Sequence, residues 1–142
     1  MRVKNTSKFD TETVRKIVKF VRPSGISKFD VMVKNTASGR GGRCYYKGSG
    51  YHATADPFIT ALVSKGATHY PTQTYTAEGK GYLPIPIFSD VESLLIIIAH
   101  ELRHLWQATH KGWRWYGSRG KFSERDADCY ALHMLRKWRR EA

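Results

Sequence analysis

Residues 89–112 read Ser-Asp-Val-Glu-Ser-Leu-Leu-Ile-Ile-Ile-Ala-His-Glu-Leu-Arg-His-Leu-Trp-Gln-Ala-Thr-His-Lys-Gly, with His100-Glu101-Leu102-Arg103-His104 at their centre. A helical turn is about 3.6 residues, so His100 and His104 project from one face a turn apart, both within reach of a single ion, with Glu101 beside them. Two imidazoles and a carboxylate at that spacing form a metal site with a general base attached.

The flanks predict a helix. Ser89 and Glu92 have the spacing of a capping box, Asp90 and Glu92 put negative charge at the positive end of the helix dipole, and Gly112 stands where a helix would stop. The apolar run 94–99 predicts burial on most sides of that helix, and a catalytic metal needs such a rigid, partly dry support.

At 142 residues the chain is expected to be a single domain, residues 1–142, with an ordinary core. Cys44 and Cys129 are too few and too far apart for a disulfide framework, and both are expected reduced and buried in a cytoplasmic protein. The N-terminal residues lack the apolar core of a signal peptide, and no apolar run approaches the ~20 residues of a membrane span, so no membrane association is expected.

The net charge of +12 is uneven: +9 over residues 1–50, −2 over 51–100 and +5 over 101–142. Basic N- and C-terminal regions would attract nucleic acid or another polyanion.

A first helix is expected from an Asp10 cap. Val14, Ile17, Val18 and Val21 fall at i, i+3, i+4 and i+7, Phe9 and Val14 can form a hydrophobic staple, and Pro23 and Gly25 end the run. Its outer face carries Arg15, Lys16, Lys19 and Arg22, the composition of a solvated helix face. Residues 28–36 alternate, with Phe29, Val31 and Val33 on one side, as a half-exposed strand does. The Gly-rich basic stretch 35–43 is read as a hairpin loop rather than a phosphate cradle, and residues 44–46 as the returning strand. Residues 58–63 are apolar but too short to assign; residues 72–77 alternate; residues 82–88 are apolar but broken by Pro84 and Pro86, as in an edge strand. An aromatic and basic loop over 113–121 precedes a last helix capped by Ser123 and ending in Arg139 and Arg140. The expected fold is α+β: an N-terminal helix on a small, mostly antiparallel sheet, then the motif helix and a C-terminal helix.

A zinc ion on two histidines requires a third protein ligand and an open position. Two residues are candidates, His110 and Glu124. A third histidine six residues after the second serves the metzincin pattern, in which a glycine breaks the helix, but Gln107 occupies that position here. Without the break, six residues rotate roughly 600°, about 240° net, which turns His110 to another face. Glu124 and Asp128, by contrast, share one face of the last helix, so one can bind metal while the other accepts a hydrogen bond from a ligating imidazole.

His100, Glu101, His104, Glu124 and Asp128, with Ala127 completing a Glu-x-x-Ala-Asp run, resemble the gluzincins, the thermolysin-like zinc peptidases of the zincin clan, and in their brevity the minigluzincins. The resemblance covers residues 89–139. It implies a zincin-like fold and a zinc-dependent metallopeptidase acting on peptide or protein substrates. In that scheme His100, His104 and Glu124 hold Zn2+, Asp128 orients a zinc-bound histidine, and Glu101 is the base. Tyr116, between the two helices, is the candidate donor to the oxyanion, with His110 behind it, and an edge strand from residues 72–88 would hold an extended substrate. A second class stays open. The aromatic and basic clusters at 113–121 and 136–140 suit a nucleic-acid-associated protein with a structural or vestigial zinc site, or a SprT-like protease acting on nucleic-acid-bound proteins.

Overall fold

The structure is a computed structural model describing residues 1–36, 41–45, 57–64, 66, 69–71, 84–110 and 121–141. Its elements are β1 (Val3–Asn5), α1 (Thr11–Val21), β2 (Asp30–Asn35), β3 (Gly41–Tyr45), β4 (Phe58–Val63), β5 (His69–Pro71), β6 (Pro84–Pro86), α2 (Asp90–His110) and α3 (Lys121–Glu141). Among the described residues it is a mixed α+β fold with three helices, a four-stranded sheet and a separate two-stranded one.

The expected first helix is α1. Asp10 caps it by accepting from the Glu12 amide, and Val14, Ile17, Val18 and Val21 are all buried. What precedes it was not expected. Residues 3–5, too short to show any period, form β1, so α1 is the crossover of a strand–helix–strand unit and β1 runs parallel to β2, with Val3 opposite Val31.

The sheet order is β1-β2-β4-β3, and β2 pairs with β4 in parallel from Asp30↔Phe58 to Asn35↔Val63. Only β3 is antiparallel in this sheet, and its partner is β4 rather than β2. Two expectations are therefore corrected. The four-stranded sheet is mixed rather than mostly antiparallel, and residues 41–45 do not return along β2 as a hairpin. Inserting β4 between them takes away the adjacency that a hairpin reading assumes. Residues 58–63 are a strand because Ile59, Ala61 and Val63 alternate into the core while Phe58 and Thr60 stay half-exposed.

Val31, Val33, Ile59, Ala61 and Val63 bury one face of the sheet against α1 and the run 94–99 of α2, forming one core. Helix α3 packs along α2 and closes that core with Ala131 and Leu135. Cys44 is half-buried, but Cys129 sits on the outward side of α3 and is exposed rather than buried. Helix α3 also begins two residues earlier than expected, so Ser123 lies inside its first turn. Among the described residues, no helix is long and apolar enough to cross a membrane. The alternation at 72–77 and residues 113–120 of the expected aromatic and basic loop lie outside the described residues, and its last residue, Lys121, begins α3.

The start of α2 is tied to the end of α3. Ser89 Oγ accepts from the Glu92 amide, while the Glu92 carboxylate accepts from the Phe88 amide and from Arg139 Nε (2.9 Å) and Nη2 (2.6 Å). Arg139 Nη2 also donates to the Pro86 carbonyl at 2.9 Å, so one guanidinium joins β6, α2 and α3. The Arg139 hydrogen bonds, opposed by partial burial, hold Glu92 below its ordinary value of 4.5. A depressed carboxylate stabilises the fold above its unfolded pKa and loses that contribution as pH falls through the folded value. Arg139→Met should lower the urea midpoint at unchanged slope, by about 1.5–3 kcal/mol at neutral pH, and the difference from wild type should shrink on acidification below about pH 4.

Candidate metal centre

His100 and His104 stand on α2 just past the fully buried turns 94–99, where the helix emerges from under the sheet to meet α3. Both rings are buried, nearly perpendicular at 84°, and their Nε2 atoms are 3.0 Å apart. The first turn of α3 brings Glu124 to them. Its Oε2 lies 3.1 Å from His100 Nε2 and its Oε1 3.0 Å from His104 Nε2, so one carboxylate spans both rings. One turn further on, buried Asp128 accepts from His100 Nδ1 at 2.9 Å. The two helix faces expected to meet do meet.

His104 has its own support, which sequence reasoning did not assign. Its Nδ1 lies 2.8 Å from Gln107 Oε1. The orientation of that amide is set by its other end, since Gln107 Nε2 faces two acceptors, the Ser123 carbonyl at 2.8 Å and Asp126 Oδ2 at 2.9 Å. Asp126 is held in turn by Arg103 at 2.7 and 3.2 Å, and the Arg103 guanidinium lies 3.8 Å over the Trp106 ring. The available signal was a polar residue three positions after His104 on an otherwise buried face. Where a glycine would have broken the helix, Gln107 continues it and orients the second imidazole.

These hydrogen bonds determine what the centre can hold. A carboxylate and an amide oxygen can only accept, so both histidines donate through Nδ1 and, when neutral, present bare Nε2 lone pairs. Two such lone pairs and two carboxylate oxygens then converge within about 3 Å of each other, which is repulsive unless a positive charge lies among them. Without a metal, the charge is a proton: burial opposes it, yet Asp128 and Glu124 push the His100 pKa up to about 10. Burial likewise opposes charge on Glu124, but the two imidazoles hold it well below the usual carboxylate range. Two imidazole nitrogens plus carboxylate oxygen are the donor set that divalent zinc takes.

His100, Glu101 and His104 also form a buried group whose ligand atoms lie within 4.8 Å of one another. Glu101 and Glu124 are thus rivals for the third donor. Glu101 Oε1 is 3.8 Å from His100 Nε2, whereas Glu124 faces both nitrogens at hydrogen-bond distance, so Glu124 is the nearer carboxylate to the two imidazoles and Glu101 stands beside them. Burial, only partly offset by the imidazoles, raises the Glu101 pKa and so favours its taking up a proton.

The strand that reaches Glu101 is β3. A Cβ built on Gly42 would lie 2.7 Å from Glu101 Cγ and 2.6 Å from the Thr60 carbonyl, while one on Gly41 meets nothing within 4 Å. Gly42→Ala should therefore displace both Glu101 and the β3–β4 ladder, costing about 1–3 kcal/mol in chemical unfolding. Gly41→Ala, one residue away, should change stability little.

His110 does not join the centre. It is exposed at the end of α2, its Nδ1 is 3.0 Å from the Trp106 carbonyl, its ring stacks on Trp106, and its Nε2 points to the turn at Gly25. Tyr116 lies outside the described residues, as do residues 72–83. In the remainder of the 72–88 run, β6 pairs with β5 in a separate two-stranded sheet. No family model, no curated protein and no solved structure matches this chain.

Proposed function

We propose that this chain is a zinc-dependent metallopeptidase of the gluzincin type, with a zincin-like fold. The observation that carries the reading is the Glu124 carboxylate bridging the Nε2 atoms of His100 and His104, with Asp128 behind the first imidazole and Gln107 behind the second. His100, His104 and Glu124 hold the ion. Zinc bound there supplies a Lewis acid that acidifies water and polarises a carbonyl. Glu101 takes the proton from the attacking water and delivers it to the leaving amine. Asp128 and Gln107 keep the two imidazoles in the Nδ1–H tautomer. Edge strand β3 offers backbone groups beside Glu101 to which an extended peptide can add, the role first given to the 72–88 run. Tyr116 keeps its place as the candidate oxyanion donor.

The test is cleavage of a mixed peptide pool. Activity should disappear on chelation and return with stoichiometric zinc. A protein that binds zinc at this centre and cleaves nothing in the pool under any metal loading would contradict the enzymatic half of the proposal.

A further inference from the structure

Two basic segments far apart in sequence meet around an aromatic pair at the end of the molecule remote from the metal centre. Phe20 of α1 and Trp138 of α3 pack edge to face, with centroids 5.1 Å apart at 87°. Lys16 lies over the Trp138 ring at 5.5 Å, and Lys137 over the Phe20 ring at 5.4 Å. Lys19 follows Lys16, and Arg140 follows Lys137, at i+3, so each extends its helix's charge along the same side. Beside the rings lies a shallow groove of about 240 Å3 lined by Lys16, Phe20, Trp138 and Glu141. Among the described residues, Glu141 is the sole carboxylate of that lining. Among the described residues, none of Lys16, Lys19, Lys137 and Arg140 makes an ion pair. Four cations so placed repel one another, and Glu141 in the groove offsets that charge only in part.

We infer that this α1–α3 patch binds the phosphodiester backbone of nucleic acid. The ligand must be polyanionic, and net charge of +12 with the cations of two helices converging on one patch matches a repeating phosphate. A bilayer surface would require protruding apolar side chains beside the charge. Phe20 and Trp138 are only half-exposed, and among the described residues the large exposed apolar side chains are Met1, Leu62 and Phe88, none of which lines the groove. Half-exposed rings in a groove suit a sugar or base against aromatic edges with phosphates on the flanking cations. The patch lies fourteen residues beyond Glu124 on α3, about 21 Å along the helix, so binding there leaves the metal centre open.

The experiment measures binding of labelled short duplex DNA, and of single-stranded DNA and RNA of the same length, across a salt series with chelator present, so that a failed peptidase reading does not affect it. Wild type should bind at least one of the three with log affinity falling linearly in log salt. Changing Lys16, Lys19, Lys137 and Arg140 together to Gln should weaken binding at least about 10-fold and reduce the slope by roughly 3 to 4. Changing the three lysines to Arg should retain it, which guards against loss through misfolding. Removing four exposed charges elsewhere, at Lys4, Lys28, Lys34 and Arg43, should have a much smaller effect. The inference is overturned if none of the three nucleic acids binds, or if the two sets of neutralised variants lose affinity equally, which would assign binding to overall charge.

Discussion

Glu101→Gln should leave zinc bound at wild-type stoichiometry and lower peptide hydrolysis by about 10^2- to 10^4-fold, the range for removing a positioned general base. The proposed reading gives the two glutamates of the centre different tasks, and this substitution separates them. Glu101 is buried, lies 3.8 Å from His100 Nε2, and is raised in pKa by its burial. An amide of the same shape fills the same space against β3 and Ile97 but cannot accept a proton. Metal titration followed by single-turnover cleavage with the zinc-loaded variant distinguishes the outcomes. Full zinc and little cleavage supports the assignment; cleavage at the wild-type rate would show that the proton goes elsewhere.

The second large effect concerns Glu124. Glu124→Ala should weaken zinc by more than the roughly 10–100-fold typical of losing a hydrogen-bond partner of a ligand. That smaller range is the expectation for Asp128→Leu and for Gln107→Leu, each of which leaves its imidazole in place but free to turn. The ordering follows from position, since Glu124 faces both Nε2 atoms directly while Asp128 and Gln107 act through the opposite ring nitrogens. Competition against a chromogenic chelator reads all three. Should Glu124→Ala bind zinc as tightly as wild type, the bridging carboxylate would not be a ligand.

Much of this centre was legible because helical spacing is local. His100 and His104 at i and i+4, and Glu124 and Asp128 at i and i+4, each define a face without reference to the rest of the chain. The same holds for α1, whose apolar stripe and Asp10 cap identify it from eleven residues. Strand order is not local. Nothing in the alternation of residues 58–63 says that they lie between β2 and β3, and three residues of β1 carry no period at all. The expected hairpin and mostly antiparallel sheet failed for that reason. Gln107 is a different case: the motif marks it only as a residue that is not glycine, which carries no information on what its own amide holds. Yet its burial and its three hydrogen bonds make it the link from His104 to α3.

On the proposed reading, one zinc ion sits where the two helices meet. Diffraction from zinc-loaded crystals, recorded on either side of the zinc absorption edge, tests it most directly. A single strong anomalous peak is expected within coordination distance of His100 Nε2, His104 Nε2 and the Glu124 carboxylate, with Glu101 outside that distance. A peak ligated by His110 or by Glu101 in place of Glu124, or no peak between α2 and α3, would contradict it.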